Sequence, residues 1–217
     1  MTHPHHAEDA SDPAEFWEDF YAPGRRPWSG NPNRLLVDEL DRQPLRPGTA
    51  LDLGCGTGGD ALWLAHQGWT VTGVDLARSA VAQAQAAAIA AGLADRTTWE
   101  RVDLDAGLPA GSWDLVTSAY LQAPVALGRE GILRGATAAV APGGTLLVIG
   151  HHGAPTWADA WPEHMRGLPD ADEVLAVLAL PTDWTIERAE TVTLDSTSPD
   201  GEPGTRTDSL VRVRRPG

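Results

Sequence analysis

The chain has 217 residues, with 30 acidic against 16 basic side chains and a formal net charge of −14. Every basic residue is an arginine, which excludes Schiff-base and P-loop lysine chemistry, and so acidic a surface disfavours nucleic acid, whose phosphates need neutralising cations. A single cysteine permits no internal disulfide, no apolar run approaches the ~20 residues that span a bilayer, and no secretory leader is apparent; together these predict a soluble cytoplasmic protein without a membrane partner.

Residues 1–11, with His3, His5 and His6, read as a disordered, solvated tail rather than a metal cluster, and no metal site is expected elsewhere. The remainder, 12–217, reads as one domain: a helical lid over 12–44, a cofactor-binding core over 45–150, and a substrate-side segment with a terminal hairpin over 151–217. Asp12 suits an N-cap, with Pro13 at the first helical position and Glu15 completing a capping box, for a helix to about Tyr21. On it Phe16, Trp17, Phe20 and Tyr21 form one aromatic face, a core stripe or a lid over a pocket. Trp28 lies in the turn-rich link that follows, where its π face could meet a ligand cation or plug the surface. A second helix runs from Asn31-Pro32 to about Arg42.

The run Ala50-Leu51-Asp52-Leu53-Gly54-Cys55-Gly56-Thr57-Gly58-Gly59-Asp60 is a buried strand, a glycine turn and the start of a helix to His66; Val71 to Asp75 is the next strand. Gly54, Gly56 and Gly58 allow positive φ and a close approach to a ligand. The helix start directs unpaired N–H groups at the same place. Asp75, about twenty residues past the first glycine, and the neighbouring Leu76 stand where a strand-end carboxylate accepts from two ribose hydroxyls.

Gly54, Gly56 and Gly59 also satisfy the dinucleotide pattern, so the turn alone leaves a nicotinamide-dependent oxidoreductase open. Asp52 argues the other way. An acid inside an apolar strand costs free energy unless paired; a cationic ligand offsets that cost and a pyrophosphate is repelled. Asp103, beside Leu104 at the end of a third strand (97–104), adds a third carboxylate, suited to an exocyclic adenine amine. Three acids around one pocket favour a positively charged nucleoside without phosphate, and S-adenosyl-L-methionine answers that description.

A helix over 77–91, strands over 114–118 and 145–150, a helix over 170–180 and two long strands, 184–194 and 207–214, complete the pattern. Alternating strands and helices mean a parallel sheet with right-handed crossovers.

Asp52-Leu53-Gly54-Cys55-Gly56-Thr57-Gly58, Val74-Asp75, Asp103-Leu104, Trp113-Asp114-Leu115-Val116 and Pro142-Gly143-Gly144-Thr145-Leu146 resemble the successive motifs of class I S-adenosylmethionine-dependent methyltransferases. Trp17 to Tyr21 with Trp28-Ser29-Gly30-Asn31-Pro32 resembles the small-molecule branch holding the tellurite-resistance and thiopurine-type enzymes. The resemblance implies an α/β, Rossmann-like, doubly wound sheet of seven strands, mostly parallel, closed by an antiparallel hairpin. It also implies methyl transfer to a small molecule, with a thiol or chalcogen anion as first acceptor and a secondary-metabolite oxygen or nitrogen as alternative, in a monomer or homodimer.

Ligands of open α/β sheets lie at the strand carboxyl ends. Ser118 belongs there with the cofactor residues, while Tyr120, His151 and His152 are the candidates for chemistry. A soft anion needs only positioning, whereas a neutral oxygen or nitrogen needs a base. Adjacent strand residues face opposite sides, so one histidine at most reaches the acceptor. The resembling branch often carries a histidine where this chain has Gln122, which weakens a base there. A cofactor-binding protein without catalysis is the remaining alternative.

Overall fold

The computed structural model describes residues 12–22, 24, 29–157, 167–198 and 200–217. Among the described residues seven strands form one sheet: β1 (Thr49–Leu53), β2 (Thr70–Asp75), β3 (Thr97–Arg101), β4 (Trp113–Ala119), β5 (Val140–Gly153), β6 (Thr185–Thr197) and β7 (Pro203–Arg214). Their order is β3-β2-β1-β4-β5-β7-β6, parallel from β3 through β5 and antiparallel in β7 and β6. This is the expected class I architecture. The order reverses direction at β1 and β4, which opens a crevice over their carboxyl ends.

Period-two alternation assigns each strand residue to a face. Leu51, Leu53, Val116, Leu146 and Val148 enter one core beneath α5 (Arg129–Ala139) and α6 (Ala171–Leu178). Ala50, Leu115, Leu147, Ile149 and Leu210 enter the other, beneath α2 (Arg34–Arg42) and α3 (Gly59–His66). The alternation sends Asp52, Thr117, His151 and Asp208 to this second face.

Helix α1 (Pro13–Phe20) sets Trp17, Phe20 and Tyr21 against Ala77 and Ala80 at the start of α4 (Arg78–Ala90). Glu18 accepts from the hydroxyl and amide of Ser79, and Gln83 donates to the Tyr21 carbonyl, so α1 is fastened by polar contacts as well as rings. Its N-cap is simpler than a capping box, since Asp12 accepts from Ala14 N, one residue short of Glu15. The full box occurs instead at α6, where Asp170 and Glu173 exchange bonds.

Helix boundaries follow the sequence closely, whereas four strands do not, β5 running from Val140 to Gly153 against the expected 145–150. β3 stops at Arg101, three residues short of the predicted end, because Asp103 turns the chain by accepting from the Asp105 amide. β6 and β7 run on to Thr197 and from Pro203 because each pairs the other through to the turn, which narrows the expected loop. Helix α5 has no counterpart in the sequence reading, although Ile132, Leu133, Ala136 and Ala139 recur at helical spacing and are buried. Among the described residues no helix is long and apolar enough to cross a membrane.

Candidate active site

The turn after β1 takes φ of +72° at Gly54, +52° at Gly56 and +88° at Gly58, a left-handed path that a Cβ makes costly. Gly54 and Cys55 both donate their amides to the Val74 carbonyl at 2.9 Å, tying the turn to β2. Asp75 completes the tie, with Oδ2 accepting from Gly56 N and Oδ1 from Ala77 N at 2.9 Å each. Each carboxylate oxygen keeps a second lone pair, so the group that shapes the turn retains acceptor capacity for a diol. Burial raises the Asp75 pKa, and the amides of Ala77 and Gly56 hold the rise in check.

Asp52 is 2% exposed. Its Oδ1 accepts from Thr117 Oγ1 at 2.9 Å, while Oδ2 has no hydrogen-bond partner among the described residues. Burial, then the neighbouring Asp60, push its pKa up to about 8. Asp60, in the first turn of α3, is raised to about 6 by burial, against the opposing bond from the Asn33 amide.

These groups border a cleft of about 650 Å³ at the carboxyl ends of the central strands. S-adenosylmethionine fits what lies there. Asp52 presents an orphaned buried carboxylate oxygen to a cation, and Asp75 offers acceptors to a ribose. The turn leaves room only for backbone: a Cβ at Gly54 would come within 2.7 Å of Leu121 Cδ1, and one at Gly59 within 2.7 Å of the Asn31 carbonyl. A pyrophosphate would lie against Asp52, Asp60 and Asp75, which is electrostatically adverse.

The other half of the cleft holds a second polar assembly. His151 and Asp208 are direct cross-strand partners of β5 and β7, and His151 Nδ1 lies 2.9 Å from Asp208 Oδ1. Asp208 Oδ2 accepts from the Tyr120 hydroxyl at 2.6 Å and from Arg206 Nε at 3.1 Å; Arg206 Nη2 also donates to the Tyr120 oxygen at 2.8 Å. The Tyr120 ring stacks on the imidazole, 4.2 Å between centroids and 22° between planes. Tyr120 itself sits at φ +52°, a strained value for a residue with a Cβ, on the turn leaving β4. Burial works against ionised Asp208, but the bonds from His151 and Tyr120 and the Arg206 charge outweigh it and hold its pKa below the usual range. Burial and the Asp208 charge drive the Tyr120 phenol upward, so it stays protonated and donates.

The methyltransferase-domain family matches residues 50–144. A relative from Mycobacteroides abscessus, named 2-heptyl-1-hydroxyquinolin-4(1H)-one methyltransferase, is 29% identical over 167 residues, 75% of this chain and 70% of that protein. An S-adenosylmethionine-dependent methyltransferase from Mesorhizobium loti superposes with a TM-score of 0.57 at 25% identity, over 83% of this chain and 96% of that one. The matched domain and these relatives support an S-adenosylmethionine-dependent methyltransferase. A structure reported as the conversion of a disulfide bond into a thioacetal group during echinomycin biosynthesis superposes on this methyltransferase with a TM-score of 0.70 at 26% identity, over 94% of this chain and 91% of that one. TehB from Haemophilus influenzae shares the fold, with a TM-score of 0.65 at 17% identity over 84% of this chain and 62% of its own. A match to ribosomal RNA small subunit methyltransferase C of Alcanivorax borkumensis, 46% identical, is confined to 48 residues, 22% of this chain and 15% of that protein.

Within this methyltransferase the residues singled out from sequence are distributed unevenly. Asp52, Gly54, Cys55, Gly56, Asp75 and Leu76 line the cleft, and so do Leu104, Tyr120 and His151. Gly58 shapes the turn from behind, where a Cβ would strike Trp99 and Ala84. Ser118 is buried away from the cleft wall, and Asp103 is exposed, its Oδ1 accepting from the Asp105 amide, while Val102 and Leu104 on either side line the cleft. His152 faces the α6 side of the sheet, with Nδ1 3.0 Å from the Leu168 carbonyl. Trp28 lies outside the described residues, as do the histidines of the tail. Gln122 clamps the end of β5, its carboxamide bonding both backbone groups of His151 at 2.7 and 2.9 Å, and an amide has no basic nitrogen. Asp208 and Arg206 were not legible as site residues, because nothing in a hairpin sequence reveals which residue it sets opposite His151.

Proposed function

We propose that this protein transfers the methyl group of S-adenosylmethionine to a flat, largely apolar small molecule through an oxygen or nitrogen that gives up a proton as it is methylated. His151 on the cleft wall, backed by the buried Asp208, carries this reading. When bound, the cofactor supplies a methyl on a positively charged sulfur and leaves as the neutral thioether. Asp75 would hold the ribose, and Asp52 would balance positive charge. His151 Nε2 would take the acceptor proton as the new bond to methyl carbon forms, and the imidazolium would be stabilised by Asp208. Leu121, Pro124 and Leu127, on the segment leaving β4 beside Tyr120, would give the acceptor an apolar wall, while Phe16, Trp17 and Phe20 of α1 line the cleft next to α4. The relative named for a hydroxyquinolone supports an acceptor of this kind.

A thiolate or chalcogen anion is the second reading, favoured by the amino-terminal aromatic segment that packs at the cleft mouth. Such a nucleophile needs placement and no base. The test is methyl transfer, followed by mass spectrometry, to a panel of N-hydroxy heterocycles, phenols, thiols and chalcogen oxyanions, with native protein and His151→Ala. Transfer to hydroxyl acceptors that falls about 10²-fold or more in the variant supports the first reading. Transfer confined to thiols or chalcogens, and indifferent to His151, replaces it with the second. Absence of S-adenosylmethionine binding by calorimetry would defeat both.

A further inference from the structure

We infer that Asp208 is a positioning residue that sets the proton of His151 on Nδ1, and that Arg206 and Tyr120 are arranged to keep Asp208 in the ionised form this requires. The inference rests on the proposed role of His151 only for its catalytic consequence; the proton placement stands on geometry alone.

The three residues of the assembly leave Asp208 a single consistent bonding pattern. Arg206 Nε is always a donor, and it lies 3.1 Å from Oδ2. The Tyr120 oxygen receives Arg206 Nη2 at 2.8 Å, so its one hydrogen is directed to Oδ2 at 2.6 Å. With two donors on Oδ2 and a guanidinium alongside, Asp208 is an anion, and Oδ1 can only accept. The atom facing Oδ1 at 2.9 Å is His151 Nδ1, which must therefore carry the hydrogen. A neutral imidazole has one N–H, so the basic lone pair falls on Nε2. Asp208 is fully buried, and the stacked Tyr120 ring restrains rotation of the imidazole about its bond to Oδ1.

An amide in place of the carboxylate inverts this logic. In Asp208→Asn the carbonyl oxygen is retained by the two donors Arg206 and Tyr120, so the NH₂ group faces His151 Nδ1. The histidine then accepts there and carries its hydrogen on Nε2, which can no longer act as a base. Packing and side-chain volume are almost unchanged.

The decisive measurement is nitrogen-15 NMR of histidine-labelled full-length protein above the titration of the ring, with His151→Gln used to assign the signal. The native protein is expected to show His151 as the Nδ1–H tautomer, and Asp208→Asn as the Nε2–H tautomer. Tyr120→Phe, which keeps the ring stack, is expected to remain Nδ1–H. An Nε2–H tautomer in the native protein overturns the assignment without any variant, and so does an unchanged spectrum in Asp208→Asn. Kinetics with 2-heptyl-1-hydroxyquinolin-4(1H)-one separates the two layers of the argument. A fall of about 10²-fold in kcat for Asp208→Asn at unchanged KM for S-adenosylmethionine, not deepened by adding His151→Gln, is expected. If the tautomer inverts as described while His151→Gln leaves kcat unaltered, the base assignment fails and the positioning by Asp208 stands.

Discussion

Thr117 donates its hydroxyl to Asp52 Oδ1 at 2.9 Å and is the one hydrogen-bond partner of that buried carboxylate among the described residues. A carboxyl group so placed is held protonated in the unliganded protein, its pKa raised by burial and by Asp60 from 3.8 to about 8. Because the folded value exceeds the unfolded one, the stability this group contributes is complete below about pH 4 and is lost as pH rises towards 8. Asp52→Asn should therefore raise the melting temperature of the unliganded protein at pH 8 and flatten its decline above pH 4. The same substitution should weaken S-adenosylmethionine binding by about 1.5 to 3 kcal/mol, since the ligand's positive charge loses its buried counter-charge. Calorimetry at pH 7 in two buffers of different ionisation enthalpy should show proton release on binding to native protein, and less in the variant. A variant with lower unliganded stability and native affinity would contradict this account of Asp52.

Asp75 carries two duties, and its removal should show both. Asp75→Ala is expected to lower cofactor affinity by about 1.5 to 3 kcal/mol or more. The amides of Gly56 and Ala77 would also lose their acceptor, so hydrogen exchange at both should quicken even without ligand. Unchanged affinity by calorimetry would remove Asp75 from the ribose site; unchanged exchange would show the turn holds without it.

The glycine turn, the sheet and the cofactor half of the cleft were legible because their signals are local. Positive-φ glycines, an acid at the end of β2 and alternating periodicity lie within a few residues of the effects they produce. The acceptor half was legible only in part. Tyr120 and His151 line the cleft as expected of strand ends over β4 and β5, and alternation allowed one of His151 and His152 to reach it. Asp208 and Arg206 depend on a cross-strand register set by a distant hairpin, and period-two reasoning cannot fix register between strands separated by 50 residues or more. Asp103 stands off the cleft wall because β3 ends early: Val102 and Leu104 line the cleft, and the residue between them is exposed.

Gly59 tests the coupling between the turn and the amino-terminal segment. It begins α3, and an added Cβ would meet the Asn31 carbonyl at 2.7 Å, too close for a backbone atom to tolerate. Gly59→Ala should displace residues 29–33 from the turn and break the Asn33 amide bond to Asp60, an interaction that joins α2 to α3. The expected loss is about 1 to 3 kcal/mol of stability, with weaker cofactor binding as its companion. Urea titration and calorimetry on one variant check both. An alanine that binds and unfolds like native protein would show that the segment moves aside at no cost.

The acidic end of the stability profile should be governed away from the cleft on the same face of the sheet, where α2 meets the hairpin. Glu39 is fully buried and accepts from Arg42, Arg188 and Arg212, while Arg212, equally buried, is shared with Glu187 at 2.7 Å and the Gln43 carbonyl at 3.0 Å. Burial drives the Glu39 pKa up, but the guanidinium groups of Arg42 and Arg188 more than reverse it, so the folded value lies below the ordinary 4.5. With the folded pKa depressed, the stabilisation is present above about pH 4.5 and is lost as pH falls through the folded value. Glu39→Ala strips Arg212 of a buried counter-charge and should cost about 3 to 5 kcal/mol. Glu39→Gln keeps the shape and should cost less, with a weaker dependence of its melting temperature on pH between 5 and 3 than the native protein shows. Two variants equally stable to the native chain at pH 7 would mean that water or local rearrangement solvates Arg212 when its partner is gone.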